Sequence, residues 1–301
     1  MKKRSILTMV FAGLAVLALG GCCCGKSDKS CEIKSSACCC KSGKVCCKSG
    51  KACEEKKENP CFSKRVREEV VAVKTTAPVV LDGKLDEADW KNAPAYTMVH
   101  AGGQYDGADW DVQEFFARGV VEPGKLRVLW DDKYLYVGVE FTDRDLYAEA
   151  KEDQQHSYKT GDVAEIFLKP VNKRWYWELY VTPLGNKTAF YYPGRGTLGL
   201  PSGFPDKLPL KGMKSAAFAV GTVNDPSDQD VKWTAEMAIP RDEICRDTKL
   251  APDVPWLIFF GRYNYGKDLE VKENSCFPYQ PALNYHNHAG YAALKMVEKA
   301  K

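Results

Sequence analysis

Few residues in this chain have the type and spacing that catalysis needs. Glycoside hydrolysis requires two carboxylates at one substrate bond, and Asp162 and Glu165 are a candidate pair on one predicted strand. Their odd separation places them on opposite faces of that strand, so they cannot act on one bond from within it. Gly194 to Gly199 fits the glycine pattern of dinucleotide-binding loops, but no helical pattern follows it. We therefore predict a binding protein and no enzyme, although carboxylates from distant segments could still converge.

Clustered carboxylates indicate a possible metal site. Asp106, Asp109 and Asp111 lie in a glycine-containing segment, and Asp143 with Asp145 follows a predicted strand. Calcium takes six to eight oxygen ligands, which loops of this composition can supply. We predict a structural Ca²⁺ at Asp106, Asp109 and Asp111; the alternative is a set of solvated turn residues.

The aromatic residues are the more informative group. Trp130 and Trp233 alternate with polar residues in predicted strands, which favours positions in the core. Tyr158, Tyr279 and Tyr285 lie instead in polar or proline-rich segments. An exposed aromatic ring can stack on the apolar face of a sugar, while polar side chains bond to its hydroxyls at about 1 kcal/mol each. These three tyrosines are therefore candidate ligand contacts.

The elements that position these residues are predicted to be β-strands. Apolar and polar residues alternate in 126–141, 175–181, 231–239, 256–264 and 290–297, and the first of these ranges turns at Asp131 to Lys133. Helical periodicity is limited to Leu85–Lys91 and Arg241–Arg246. Alternation with period two predicts strands with one buried and one solvated face. We predict an all-β fold, an antiparallel β-sandwich of jelly-roll type with long loops, over residues 70–301.

The first residues predict export. Lys2 to Arg4 precede an apolar stretch that ends in Leu19-Gly20-Gly21-Cys22. This order is that of a secretory signal peptide over residues 1–21, and the last four residues resemble a lipobox, in which Cys22 is acylated. No Asp follows Cys22. We predict a lipid anchor at Cys22 and a location in the cell envelope, at the outer membrane or cell surface; the alternative is ordinary cleavage near Gly21.

Residues 22–69 have the composition of a flexible tether. They contain eleven of the thirteen cysteines, and Cys39–Lys44 recurs as Cys46–Lys51. Such a segment buries too little apolar surface to offset its ordering entropy; a thiolate metal site is the alternative. The tether has twelve basic and seven acidic residues, so most of the positive charge lies outside the domain and the domain itself is mildly acidic. A mildly acidic domain disfavours nucleic acid as a partner. In the domain, Cys245 and Cys276 form either one disulfide or two separate thiols.

Six segments in order resemble the family 9 carbohydrate-binding module and its relatives. The matching blocks are Val80–Trp90, Leu129–Val137, Gly161–Leu168, Trp233–Pro240, Arg262–Tyr265 and His286–Tyr291. The resemblance covers nearly the whole domain. It implies a jelly-roll-like sandwich, sugar binding between aromatic side chains, and structural calcium.

The resemblance also implies a set of ligand-binding residues. The family's glutamate matches Glu165, while Tyr158 is the aromatic residue nearest to the position of its first stacking tryptophan. For the second stacking residue this chain offers Tyr279, Tyr285 or His286, and Arg262 with Asn264 would supply hydrogen bonds. The implied protein is a membrane-anchored lipoprotein that binds an oligo- or polysaccharide and is linked to polysaccharide breakdown.

Two other functions stay open at this point. A related sandwich binds haem b for electron transfer through Met and His or Lys, for which Met98, His100, Met213 and Met237 are candidates. A glycoside-active hydrolase is the third hypothesis.

Overall fold

A computed structural model describes residues 67–102, 119–195, 207–267, 269 and 272–299. Cys22, the tether through residue 66, and the predicted calcium ligands Asp106, Asp109 and Asp111 lie outside these ranges. The described strands are β1 Glu69–Lys74, β2 Tyr96–Thr97, β3 Val99–His100, β4 Gly124–Trp130, β5 Tyr134–Thr142, β6 Val163–Pro170, β7 Tyr176–Val181, β8 Lys187–Tyr192, β9 Lys214–Val220, β10 Lys232–Pro240, β11 Trp256–Asn264, β12 Glu273–Phe277 and β13 Ala292–Val297. Two short helices, α1 Ala88–Asn92 and α2 Arg241–Ile244, fall where the helical periodicity predicts them.

The described strands form one folded-over sheet. Its order is β8-β7-β6-β11-β13-β1-β4-β5-β10-β9, with β2, β3 and β12 paired at its side. The main core cluster contains residues from β6, β7 and β11 as well as from β4, β5 and β10, so the two halves of the sheet face each other. The predicted β-sandwich is confirmed. Pairing is antiparallel except at β1, which runs parallel to β13 and β4.

The predicted hairpin is β4 followed by β5, and its turn is organised by one carboxylate. Asp131 Oδ1 accepts hydrogen bonds from the backbone N–H groups of Lys133 (2.7 Å) and Tyr134 (2.6 Å), and Oδ2 accepts one from the Tyr136 hydroxyl at 2.7 Å. An Asp that bonds backbone groups two and three residues onward favours a tight turn. The turn thereby sets the register that pairs Val128 with Val137.

The first and fourth motif blocks meet at a buried carboxylate. Glu236 on β10 accepts hydrogen bonds from Asp82 N (2.9 Å), Gly83 N (2.7 Å) and Trp90 Nε1 (2.8 Å). Gly83 has a φ of +83°, and a Cβ there would lie 2.5 Å from the backbone of Ala217. The Asp-Gly and Trp of the opening block are therefore tied to the Glu of β10 for structural reasons.

The predicted pattern of one buried and one wet face is correct for the core side but wrong at β7. Trp177 faces the main core as predicted, yet Tyr176, Glu178 and Tyr180 on the other face are also buried. Segments 154–160 and 285–291 cover that second face, as the ring contact between Tyr158 and Tyr180 at 6.2 Å illustrates. The residues that the sequence periodicity predicts to be exposed to solvent therefore belong to a second buried cluster.

The candidate haem ligands are packed in the core or hydrogen-bonded to other described residues. Met98, Met213 and Met237 are buried in the main core cluster, and His100 Nε2 is hydrogen-bonded to the carbonyl oxygen of Gly119 at 2.6 Å. Within the described ranges no group of three or more His, Cys, Asp or Glu side chains is arranged to hold a metal ion. No described helix is long and apolar enough to cross a membrane.

Cys245 and Cys276 are both free thiols. The prediction of two separate thiols is confirmed, and the alternative of a disulfide is not. Cys276 is fully buried, and its burial raises its pKa to about 12.

Candidate functional site

The second face of β6, β7, β8 and β11 is lined by aromatic rings. We call it the aromatic face and define it by Phe167, Tyr176, Tyr180, Phe190, Tyr192, Phe259 and Tyr263 on the strands, with Tyr158, Tyr285 and Tyr291 packed over them. Tyr176 and Tyr192 stack in parallel with ring centroids 4.7 Å apart. Phe259 and Tyr291 stack at 5.2 Å. Such packing makes the face a rigid, largely apolar surface.

Two carboxylates lie among these rings. Glu165 on β6 is paired with Tyr180 on β7, and Phe167 is paired with Glu178, so the two glutamates are diagonal neighbours on one face. Glu165 is 2% exposed and Glu178 is 4% exposed. The Tyr180 hydroxyl donates a hydrogen bond to Glu178 Oε1. The structure thus brings together two carboxylates from neighbouring strands. The candidate pair in the sequence, Asp162 and Glu165, came from a single predicted strand.

Burial favours the protonated form of both carboxyls. It raises the pKa of Glu178 to about 7, against the opposing effect of the Tyr180 hydrogen bond. It raises the pKa of Glu165 well above its ordinary value, and the neighbouring charge of Glu178 adds to this shift. The uncharged carboxyl that burial favours can both donate and accept a hydrogen bond.

One rim of the aromatic face is formed by His286. Its Nδ1 is hydrogen-bonded to the Tyr176 hydroxyl at 2.8 Å, and its Nε2 lies 3.9 Å from Glu178 Oε2. The side chain is 34% exposed, so it connects the glutamates with solvent. Burial, followed by the charge of Arg195, lowers the pKa of His286 to about 4. The imidazole is consequently neutral at physiological pH.

The opposite rim is formed by tyrosines and a lysine. Tyr158 and Tyr263 contact each other with centroids 5.7 Å apart. Lys272 Nζ lies 4.8 Å from the ring centroids of both Tyr263 and Tyr265 and donates a hydrogen bond to the Tyr265 hydroxyl at 3.3 Å. The positive charge of Lys272 also acts on Glu165 and lowers its pKa, against the larger effect of burial. A polar, cationic rim thus borders the aromatic floor.

Two buried polar groups of the face lie beside each other. Within the described residues, Glu178 Oε2 and the Tyr192 hydroxyl are both shielded from water. The two groups interact, since the Tyr192 hydroxyl lowers the pKa of Glu178 against the larger effect of burial. A polar ligand that reached them would add hydrogen bonds of about 1 kcal/mol each.

The seven predicted ligand residues fall into three groups. Glu165 and Tyr158 belong to the aromatic face, and His286 forms its rim. Tyr285 is buried at the face, where its hydroxyl donates to the carbonyl oxygen of Ser275 at 3.0 Å and its ring would lie 2.4 Å from a Cβ at Gly261. Its position favours a packing role.

Arg262 and Asn264 point to the core side of β11. Arg262 donates hydrogen bonds to the carbonyl oxygen of Glu122 (2.6 Å), to that of Thr142 (3.0 Å) and to Asp143 Oδ2 (3.0 Å), and it is fully buried. Asn264 Nδ2 donates to Glu122 Oε2 at 2.6 Å. Their predicted role as ligand contacts is not supported by this placement, because they lie on the core side, where protein groups bond to both terminal nitrogens of the guanidinium and to the amide nitrogen. One of these partners is Asp143, which belongs to the second carboxylate cluster named in the sequence analysis, Asp143 with Asp145.

Tyr279 lies outside the aromatic face. Its side chain is 43% exposed, beside Arg67 and Tyr291. The structure does not bring it to the glutamate pair.

Sequence reasoning missed Glu178, Tyr180, Tyr192 and Lys272. The signal that could have identified them is the Tyr176-Trp177-Glu178-Leu179-Tyr180 run. Its alternate residues share one face, and that face is aromatic with a single carboxylate. Tyrosines flanking a glutamate in this way differ from an ordinary solvated face.

Comparison with known proteins shows what part of this chain is similar to. Residues 81–188 match the family model described as carbohydrate family 9 binding domain-like. A structure from Bacteroides uniformis, whose description proposes carbohydrate binding, aligns with a TM-score of 0.56 at 11% identity, over 76% of this chain and 99% of the other. This likeness supports the fold.

Two family 9 carbohydrate-binding modules from Caldicellulosiruptor kristjanssonii also align. The glucose complex has a TM-score of 0.47 at 14% identity, covering 78% of this chain and 98% of the other. The cellotriose complex has a TM-score of 0.46 at 15% identity, covering 78% and 96%. No curated protein matches the chain. The family-model match shows that residues 81–188 are similar to the carbohydrate family 9 binding domain-like family.

Proposed function

We propose that this chain is a non-catalytic carbohydrate-binding lipoprotein that holds an oligo- or polysaccharide at the aromatic face. The family match supports the class of ligand. The observation that carries the choice of site is the Glu178 carboxyl, which is buried among stacked rings with its Oε2 3.9 Å from Nε2 of the partly exposed His286.

The chemistry of a sugar fits this surface. Its apolar C–H face packs on an aromatic ring, and its hydroxyls both donate and accept hydrogen bonds. Glu178 offers an acceptor, Glu165 offers a second carboxyl group, and neutral His286 can accept or donate at Nε2. A ligand hydroxyl entering past His286 would bond to Glu178 Oε2, which lies 3.9 Å from His286 Nε2.

A glycan array with the full mature chain, followed by isothermal titration, tests the site. We expect His286→Ala to weaken binding of an array-positive glycan by about 5- to 150-fold, which corresponds to the 1–3 kcal/mol of a lost buried hydrogen bond. Leu283→Ala is the matched control, since Leu283 is exposed and lies just before the covering segment 285–291. Absence of any glycan binding by the wild type, or unchanged affinity in His286→Ala, would contradict the proposal.

We further propose that Cys22 is acylated and anchors the protein in the cell envelope, where it serves polysaccharide breakdown. The lipobox-like sequence before Cys22 supports this. We expect Cys22→Ser to move the protein from the membrane fraction to the soluble fraction after a high-salt wash. Cys23→Ser controls for the loss of a neighbouring thiol and should remain in the membrane fraction.

Structural calcium at Asp106, Asp109 and Asp111 also remains a proposal, supported by the ligand type and the family resemblance. We expect a chelator to lower the melting temperature of the wild type. A variant with all three residues changed to Asn should show no such response, and an unaffected wild type would exclude the site.

A further inference from the structure

Arg67, the first residue described, holds the segment that covers the aromatic face. Its Nη1 donates hydrogen bonds to the carbonyl oxygens of Tyr291 (2.8 Å), Ala289 (3.2 Å) and His288 (3.3 Å). These carbonyls follow His286 on the covering segment. No hydrogen bond joins the remaining guanidinium nitrogens, Nε and Nη2, to the described part of the chain. Nε and Nη2 are thus the Arg67 donors that a ligand would use.

A pocket lies next to this guanidinium. Arg67 and Glu68 form its polar wall, the 43% exposed ring of Tyr279 forms another wall, and Gly290 and Tyr291 form the floor. Its volume is about 130 Å³, well above the roughly 10–15 Å³ that one water molecule needs. It can take part of a ligand, such as one edge of a sugar ring.

The floor of this pocket is held rigidly. The Tyr291 ring stacks on Phe259, and its hydroxyl donates to the carbonyl oxygen of Tyr285 at 2.7 Å. The same residue therefore belongs to the pocket and to the packing of the aromatic face. A preformed wall of this kind reduces the ordering cost of binding.

The pocket and the glutamate pair are separate. Glu69, next to the pocket, begins β1, whereas Glu165 lies on β6. The sheet order β6-β11-β13-β1 places these strands three steps apart, and neighbouring strands lie about 4.8 Å apart. The register also sets Glu69 level with Lys169, which is about 13 Å along β6 from Glu165. An oligosaccharide of several residues would span this distance, whereas one sugar residue could not contact both sites.

The opposite charges of Arg67 and Glu68 favour an uncharged group on the ligand. Arg67 supplies donors and Glu68 supplies acceptors, and a sugar hydroxyl uses both kinds. A carboxylate or sulfate on the ligand would be attracted by Arg67 but repelled by the adjacent Glu68. Tyr279 adds an exposed ring on which a C–H face can stack.

We propose that the pocket of Arg67, Glu68, Tyr279 and Tyr291 is a second saccharide subsite, which takes an uncharged residue of the oligosaccharide held at the aromatic face. This inference rests on the proposed function. It also places one wall of the binding region at Arg67, outside the segment that the family model matches.

Titrations of the full mature chain with oligosaccharides of two lengths test the subsite. The probes are cellohexaose, xylohexaose and mannohexaose, each compared with its monosaccharide and with a hexamer of galacturonate. We expect Tyr279→Ala to weaken hexamer binding about five- to tenfold, equivalent to about 1 kcal/mol, and to leave monosaccharide binding unchanged. Arg67→Ala should act in the same direction, whereas Tyr279→Phe, which keeps the ring, should bind like the wild type.

The outcomes separate the subsite from the proposed function. If Tyr279→Ala and Arg67→Ala bind hexamers with wild-type affinity while His286→Ala does not, the subsite is refuted and the aromatic face stands. Equal losses for hexamer and monosaccharide would also refute a separate subsite, and tighter binding of the galacturonate hexamer would refute its preference for uncharged sugars. If the wild type binds none of the probes and no glycan on the array, the proposed function itself fails.

Discussion

Replacing Glu178 by Gln should make the protein more stable at alkaline pH. Glu178 is buried among Tyr176, Tyr180 and Tyr192, and burial raises its pKa from 4.5 to about 7. A carboxyl whose pKa is raised in the folded state stabilises the fold fully below its unfolded pKa, and this stabilisation disappears as the pH rises through the folded pKa. The wild type should therefore lose stability between about pH 4.5 and about pH 7 because of this group.

The expected magnitude follows from the size of the shift. Each pKa unit corresponds to about 1.4 kcal/mol. The wild type should then lose about 2–3 kcal/mol of unfolding free energy between about pH 5 and about pH 8.5 through Glu178 alone. Gln keeps a side-chain oxygen that can accept the Tyr180 hydrogen bond but has no charge to bury. In Glu178→Gln this loss should be absent.

Urea unfolding at the two pH values measures the effect. Comparing variant with wild type removes most of the contribution of His286, whose lowered pKa acts in the opposite direction, since it costs stability as the pH falls from 6.5 to about 4. Glu140→Gln is the matched control, because Glu140 lies on strand β5 in a surface ion pair with Lys232, which contributes little. Parallel pH profiles for wild type and Glu178→Gln would refute the reasoning.

Three further substitutions test the structural roles assigned above. Glu236→Ala leaves three buried or half-buried N–H donors without their acceptor and should cost about 3 kcal/mol in urea unfolding; a loss below about 1 kcal/mol would contradict the anchoring role. Gly261→Ala places a methyl group against the Tyr285 ring and should lower stability by about 1–3 kcal/mol, measured as a lower melting temperature. Arg262→Ala leaves Asp143 buried without its partner and should cost about 3–5 kcal/mol; weaker glycan binding with an unchanged melting temperature would instead favour a ligand contact.

Local patterns in the sequence correctly predict many of the strands and the main core. The alternation in residues 126–141 predicts β4, β5 and their turn, and Trp130 and Trp233 are buried as their parity predicts. Helices α1 and α2 also fall in the two predicted stretches. These features depend on residues close together in the chain, where side-chain direction follows directly from the period of the strand.

The set of residues that forms the site depends instead on contacts between distant segments. Because Gly261 pairs with Glu165, Arg262 one residue further is turned to the opposite face, and a register shifted by one would reverse this. Glu178 joins Glu165 through pairing between β6 and β7, and segments 154–160 and 285–291 bury a face that periodicity assigns to water. Register between strands and the packing of distant segments depend on contacts far apart in sequence, so the local pattern of residues does not determine them.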